Sequence, residues 1–301
     1  MGAMSEPHGT FTVFRHSQSI LGESLVARER DGQQLMLWCD ITRGLLHSSP
    51  INGAADGSAD TTISMPAPLC SFHPSMVDGQ EGFVMSLKDR VVLTRRDGTI
   101  IRELAHIQHQ RPDTRMNEGK ADPHGRWVSG SMDMDEQPTG AYYSVTADGG
   151  LRVLVEGLKV SNGLEFSDDG HVIFYTDTPL QTIFRADYSD DGEISNATAF
   201  INDGPHDGLA LDVDGGFWTA LYGEGRVIHY DAAGVRQFHI DLPAPNLTSV
   251  AFGGADLSTL FVCSARENLT DEHLEAHPLS GSVFAIPTHT AGRPPRVFGR
   301  V

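Results

Sequence analysis

Arg115-Met116-Asn117-Glu118-Gly119-Lys120-Ala121-Asp122-Pro123-His124-Gly125-Arg126-Trp127 sets the pattern on which the fold turns. A polar residue leads to glycine, then to an Asp/Gly turn, then to a strand that carries aromatic side chains. The same grammar returns in Ser161-Asn162-Gly163-Leu164, with the turn Asp168-Asp169-Gly170 and the strand Val172-Ile173-Phe174-Tyr175. It returns again in His206-Asp207-Gly208-Leu209, with Asp212-Val213-Asp214-Gly215 and the strand Gly216-Phe217-Trp218. Asn117, Asn162 and Asp207 are therefore spaced by 45 and 45 residues. One oxygen-bearing side chain per repeat, at constant phase, predicts several ligands brought to one point.

Outward from this stretch, strand-like segments centre on Leu37, Val84, Trp127, Phe174, Trp218 and Leu260, about 45 residues apart. Further strands follow within the units, as in Gly140–Val145, Arg226–Asp231 and Ser282–Ile286. Repeats of about 40–50 residues with four short strands each are the mark of propeller blades. The reading is an all-β, six-bladed β-propeller, one domain over residues 1–301. Six blades of roughly 45 residues consume roughly 270 residues, which the chain supplies. Thr10-Phe11-Thr12-Val13-Phe14 alternates like a strand near the start. At the other end, residues 293–298 are expected to add a terminal strand that closes the ring. The segment 52–60, rich in small residues, reads as a loop inside a blade. Thr270 is placed to cap a short helix near Asn268–Ala276. Trp38, Trp127 and Trp218 recur at blade phase and read as core anchors.

The net charge of −18 comes from 22 basic and 40 acidic side chains. Such a surface repels phosphate backbones and anionic bilayers, which argues against nucleic acid or a membrane as partner. No apolar window is long enough to span a bilayer. Residues 1–20 lack a basic start followed by an apolar run, so no leader is expected and a cytoplasmic location is read. Met1-Gly2 fails as a myristoylation start because position 6 is Glu6. Cys39, Cys70 and Cys263 have no CxxC spacing and read as buried small hydrophobes.

Residues 115–127, 161–170, 206–231 and 246–266 together resemble the SMP-30/gluconolactonase/regucalcin-like family of six-bladed propellers. The resemblance runs from Leu21-Gly22-Glu23 through residues 267–286. It implies a divalent metal at the propeller axis and, in many members, hydrolysis of sugar lactones. The family's metal ligands fall on Glu23, Asn162 and Asp207, and Asp207 is also its acid/base position. Its substrate contacts fall on Arg115 and Asn117, with Asp135 a weaker match. Two departures stand out. Gly22-Glu23-Ser24-Leu25 and Ala27 replace a Gly-Glu-Gly-Pro pattern followed by tryptophan, predicting a changed pocket lining beside the glutamate. His206 precedes Asp207 where Pro-Asp-Gly is usual.

The chemistry of these side chains agrees with that role. Glu23, Asn162 and Asp207 offer oxygen only, which suits one hard divalent cation, Ca²⁺ foremost, with Mg²⁺, Mn²⁺ or Zn²⁺ as other occupants. Such a cation would polarise a lactone carbonyl, and Asp207 is the candidate general base for water. Arg115 and Asn117 would clamp a small sugar lactone. An esterase or organophosphate hydrolase on the same metal site, and a non-enzymatic metal-binding regulator, are the rival readings. The protein is expected as a monomer or small homo-oligomer. Other signals fail: His273 and His277 lack the glutamate of a HExxH site, residues 187–192 read as a hairpin turn, and no GxSxG elbow exists.

Overall fold

The computed structural model describes residues 10–299. The N-terminal readings on Met1, Gly2 and Glu6 lie outside them. Six antiparallel four-stranded sheets follow one another along the chain, at residues 22–64, 69–106, 114–158, 161–201, 206–241 and 247–287. The first strand of each sheet packs against the first strands of both neighbouring sheets, and the last sheet returns to the first. The chain is therefore a six-bladed β-propeller whose first strands surround the axis.

The opening stretch explains how one blade forms. The buried Asp122 carboxylate accepts from the backbone N–H of His124 at 2.9 Å and of Arg126 at 2.7 Å. Its second oxygen accepts from Arg126 Nε at 2.6 Å and from the Tyr188 hydroxyl, in the next blade, at 2.7 Å. Gly125 takes φ +75°, a conformation that L side chains rarely adopt. The turn delivers Trp127 fully buried between blades, where its Nε1 donates to Ser86 Oγ at 2.9 Å. Asp212 repeats the device two blades on, accepting from the N–H of Asp214 and Gly216 and from Trp218 Nε1. Truncating such a buried tryptophan to alanine typically costs about 3–5 kcal/mol. Trp38 is likewise buried.

Ring closure differs from expectation. The outer strand of the last blade is the N-terminal Thr12–Arg15, paired with Val283–Pro287. Residues 293–298 form no strand. Pro294 and Pro295 have no N–H to give a ladder, whereas the N-terminal segment supplies its own. Arg15 Nε lies 2.8 Å from Asp60 Oδ2, so the loop at residues 52–60 latches the closing strand to the first blade. Phe298, fully buried, instead exchanges backbone bonds with Pro74 and Met76 in the second blade.

Asp271–Ala276 is a short α-helix whose cap residue Thr270 accepts from His273 N–H, as expected. Residues 189–193 form the turn of a hairpin, and all three cysteines are buried and free. Among the described residues no helix is long and apolar enough to cross a membrane.

Candidate active site

Each of the six inner strands slips register close to its beginning, at Glu23/Val26, Leu69/Ser71, Met116/Gly119, Asn162/Glu165, His206/Leu209 and Leu247/Val250. A bulge re-aims side chains that strict alternation would send elsewhere. Six equivalent irregularities around one axis form a ring at one mouth of the channel. Glu23, Asn117, Asn162 and Asp207 occupy four of its phases. The other two hold Cys70 and Thr248, and Thr248 Oγ1 donates to Gly22 O in the next blade at 2.5 Å.

Glu23, Arg115, Asn117, Asn162 and Asp207 all line one cavity of about 140 Å³. Glu23, Asn117, Asn162 and Asp207 are each buried to at least nine-tenths. Arg115 Nη1 donates to Asn117 Oδ1 at 2.6 Å, as their shared strand face predicts. Asn117 Nδ2 donates to Asn162 Oδ1 at 2.7 Å and to Ser161 O at 2.8 Å. Asn162 Nδ2 donates to Thr178 Oγ1 at 3.0 Å, and that hydroxyl donates to His206 O at 2.7 Å. The amide side chains are thus held in place by three blades. Tyr142 adds a further brace, its hydroxyl donating to Asn162 O at 2.7 Å.

The two acids are held differently. Glu23 Oε2 accepts from the N–H of Ser24 at 3.1 Å. Oδ1 of Asp207 is buried and has no hydrogen-bond partner. Burial, and then the neighbouring Glu118, push the Glu23 carboxyl up to about 8. Burial, followed by Glu23 and Glu118, holds Asp207 well above the ordinary carboxylate range, with Arg115 opposing. Glu118 is itself raised by burial and partly restored by Lys120. Among the described residues no three His, Cys, Asp or Glu side chains converge on one point. The convergent set here is two carboxylates and an amide oxygen.

Some expectations need correction. Asp135 does not line the cavity; it is largely exposed and ion-paired with Arg111 at 2.9 Å. Its neighbour Glu136, in the left-handed region at φ +54°, lines the cavity instead. Leu25 and Ala27 line a cavity at the far end of the channel, because their strand runs away from the acidic mouth. The Ser24-Leu25 departure therefore leaves the residues around Glu23 on the acidic side untouched, apart from the Ser24 N–H. His206 is fully buried beside Tyr230 and Asp203 and stays out of the cavity.

Sequence reasoning did not find Thr178, Tyr222, Glu267 or Asn268, which complete the rim. Thr178 follows the axial strand's own hairpin partner, and Glu267 and Asn268 follow the second strand of the last blade. They sit on connections, where the blade period carries no phase.

The family model described as SMP-30/Gluconolactonase/LRE-like region matches residues 21–266. Among curated relatives, 6-deoxy-6-sulfogluconolactonase of Pseudomonas putida is 34% identical over 280 residues, covering 91% of this chain and 93% of that protein. L-arabinolactonase of Azospirillum brasilense is 31% identical over 301 residues, covering 95% and 94%. Among solved structures, the calcium-binding protein regucalcin of Agrobacterium tumefaciens superposes with a TM-score of 0.87 at 26% identity, covering 97% of this chain and 98% of that one.

Proposed function

Since the chain belongs to the SMP-30/gluconolactonase/LRE-like family, we propose that it is a metal-dependent hydrolase that opens small sugar lactones to their acids. One observation supports this most directly. Two crowded, buried carboxylates and an amide oxygen share a cavity with a guanidinium, and one carboxylate oxygen of Asp207 has no partner.

Glu23, Asn162 and Asp207 fit a hard divalent cation. Their donors are all oxygen, and the two acids are raised by burial and like charge, which a cation would relieve. Ca²⁺ is the favoured ion, in keeping with the relative named as calcium-binding. A bound cation would supply Lewis-acid polarisation of the lactone carbonyl, a contribution of several kcal/mol.

The chain's own groups would do the rest. Arg115, tied to Asn117 Oδ1 at 2.6 Å, presents its remaining N–H donors toward the substrate's ring oxygen and hydroxyls. Asn117, whose two N–H groups go to Asn162 and Ser161, offers a substrate hydroxyl the second lone pair of Oδ1. Oδ1 of Asp207 takes a proton from the attacking water as its oxygen bonds to the carbonyl carbon. Asp207 returns that proton to the ring oxygen as the lactone C–O bond breaks. The product is a hydroxy acid, and no protein–substrate bond forms. The Glu136 and Glu267 carboxylates at the rim belong to the same reading as contacts for hydroxyls. A single propeller unit, a cytoplasmic location and a monomer or small homo-oligomer complete it.

A pH-indicator assay of glucono-1,5-lactone and arabinono-1,4-lactone, with Ca²⁺, Mg²⁺, Mn²⁺ and Zn²⁺ in turn, tests the proposal. Acid release that stops with chelator supports it. Turnover of aryl esters or organophosphates with none of lactones would replace it with the esterase reading. Metal binding without turnover of either class would leave a regulatory protein.

A further inference from the structure

The inner strands carry a second ring. Three residues beyond Glu23, Cys70, Asn117, Asn162, Asp207 and Thr248 stand Val26, His73, Lys120, Glu165, Ala210 and Ala251, one from each blade. At about 3.3 Å per residue, that step is roughly 10 Å along the channel. All six line a cavity of about 410 Å³ that shares no lining residue with the acidic site. The ring is divided. Three successive blades give His73, Lys120 and Glu165, and the other three give only small apolar side chains.

The C-terminal segment adds to this mouth. Arg293 and Arg296 both line the cavity. Its ion pairs are Lys120 with Glu165 and Arg293 Nε with Asp168 Oδ1 at 3.1 Å. Arg296 takes part in neither; its Nη2 donates to Ser167 O at 3.1 Å and its guanidinium lies 5.8 Å from the Phe166 ring centroid. Three cations thus face two carboxylates, a surplus of one positive charge in a chain of net charge −18. His73 is 2% exposed and its Nδ1 is buried without a hydrogen-bond partner. Arg293 Nη1 is buried and unpartnered as well.

We propose that this cavity is a second binding site, for a small organic monoanion whose oxyanion sits between Arg296 and His73 and whose apolar body rests on Val26, Ala210 and Ala251. A single negative charge cancels the surplus, whereas a dianion overshoots it. The neutral imidazole can donate to an oxyanion oxygen, and a guanidinium without a carboxylate partner is free to form the paired contacts it makes best. The apolar half of the ring offers nothing to a fully hydrated inorganic ion. Occupancy here is independent of the reaction assigned to the acidic mouth.

Isothermal titration calorimetry of the full-length, metal-loaded protein with benzoate tests the assignment, with benzamide as the neutral isostere and inorganic phosphate as the ion without an apolar body. Benzoate should bind saturably, and benzamide and phosphate at least roughly tenfold more weakly. Arg296→Gln should weaken benzoate by roughly tenfold while leaving lactone hydrolysis unchanged. His73→Phe, which keeps an aromatic shape, should weaken it too. Asp207→Asn, in the other cavity, should leave benzoate affinity alone. Three results would each overturn the proposal. They are no saturable binding at millimolar benzoate, binding indifferent to both Arg296→Gln and His73→Phe, and phosphate binding as tightly as benzoate.

Discussion

Asn117 donates its side-chain amide to Oδ1 of Asn162 across 2.7 Å, tying two neighbouring blades together at the channel mouth. The same Asn117 accepts from Arg115 at 2.6 Å. The proposed substrate clamp Arg115 and the proposed metal ligand Asn162 are thus two hydrogen bonds apart. Asn117→Ala should disturb both. Metal affinity measured by calorimetry should fall by roughly tenfold, the worth of about 1.4 kcal/mol, with KM for the best lactone rising alongside. A change in KM with unaltered metal affinity would show that the Asn117–Asn162 bond does not position the ligand.

Arg115→Met keeps much of the stem and removes the guanidinium. Losing a charge-assisted contact costs about 1.5–3 kcal/mol, so kcat/KM should fall roughly 10- to 150-fold with metal content unchanged. Steady-state kinetics with elemental analysis checks this. Parent-like kinetics would make Arg115 merely a brace for Asn117.

The crowded carboxylates predict an unusual pH response in metal-free protein. Burial, and next Glu118, raise Glu23 from an ordinary carboxyl value to about 8. A carboxyl raised on folding binds its proton more tightly in the folded state. Its stabilising contribution is full below the unfolded value near 4.5 and is lost as pH rises through 8. Asp207 shifts in the same direction. The apo protein's Tm should therefore fall by several degrees between about pH 5 and pH 8.5, since each kcal/mol is worth roughly 1.5–2 °C at this size. Saturating Ca²⁺ should flatten the slope, and Glu23→Gln should reduce it without metal. Differential scanning fluorimetry across pH would contradict the account if the apo Tm were flat or rising.

The closing latch gives a prediction away from the site. Arg15, 7% exposed, pairs with Asp60 and joins the N-terminal strand to the first blade. Arg15→Ala leaves the Asp60 carboxylate with less of its partnering and should cost roughly 1–3 kcal/mol. Urea unfolding would show this as a lower midpoint. An unchanged midpoint would mean that strand pairing with Val283–Pro287 closes the ring unaided.

How much of this was legible in residue order follows from geometry. Blade phase is set by strand length and turn chemistry, both local, so Asn117, Asn162 and Asp207 could be aligned by counting. Glu23 came through resemblance, since its neighbours Ser24 and Leu25 break the pattern. Ring closure was misjudged because pairing Thr12–Arg15 with Val283–Pro287 joins opposite ends of the chain, and nothing local announces it. Asp135 came only as a weak match from the resemblance, and nothing in the order of residues marked its neighbour Glu136, which stands at φ +54° and lines the cavity. Glu267 and Tyr222 stand on connections that follow no period.

The central claim is that Asp207 both holds the cation and moves the proton. Asn162 shows what an amide does at the same phase: it offers oxygen and cannot take a proton. Asp207→Asn should therefore still fold and still bind metal, more weakly for want of one charge. The deciding measurement is kcat of Asp207→Asn on the best lactone at saturating metal, with occupancy confirmed by elemental analysis. The account predicts a fall on the order of 10²–10⁴, the usual worth of a positioned general base. A fully metallated variant that keeps more than about a tenth of the parent rate would contradict it, and Glu118 would become the next carboxylate to test.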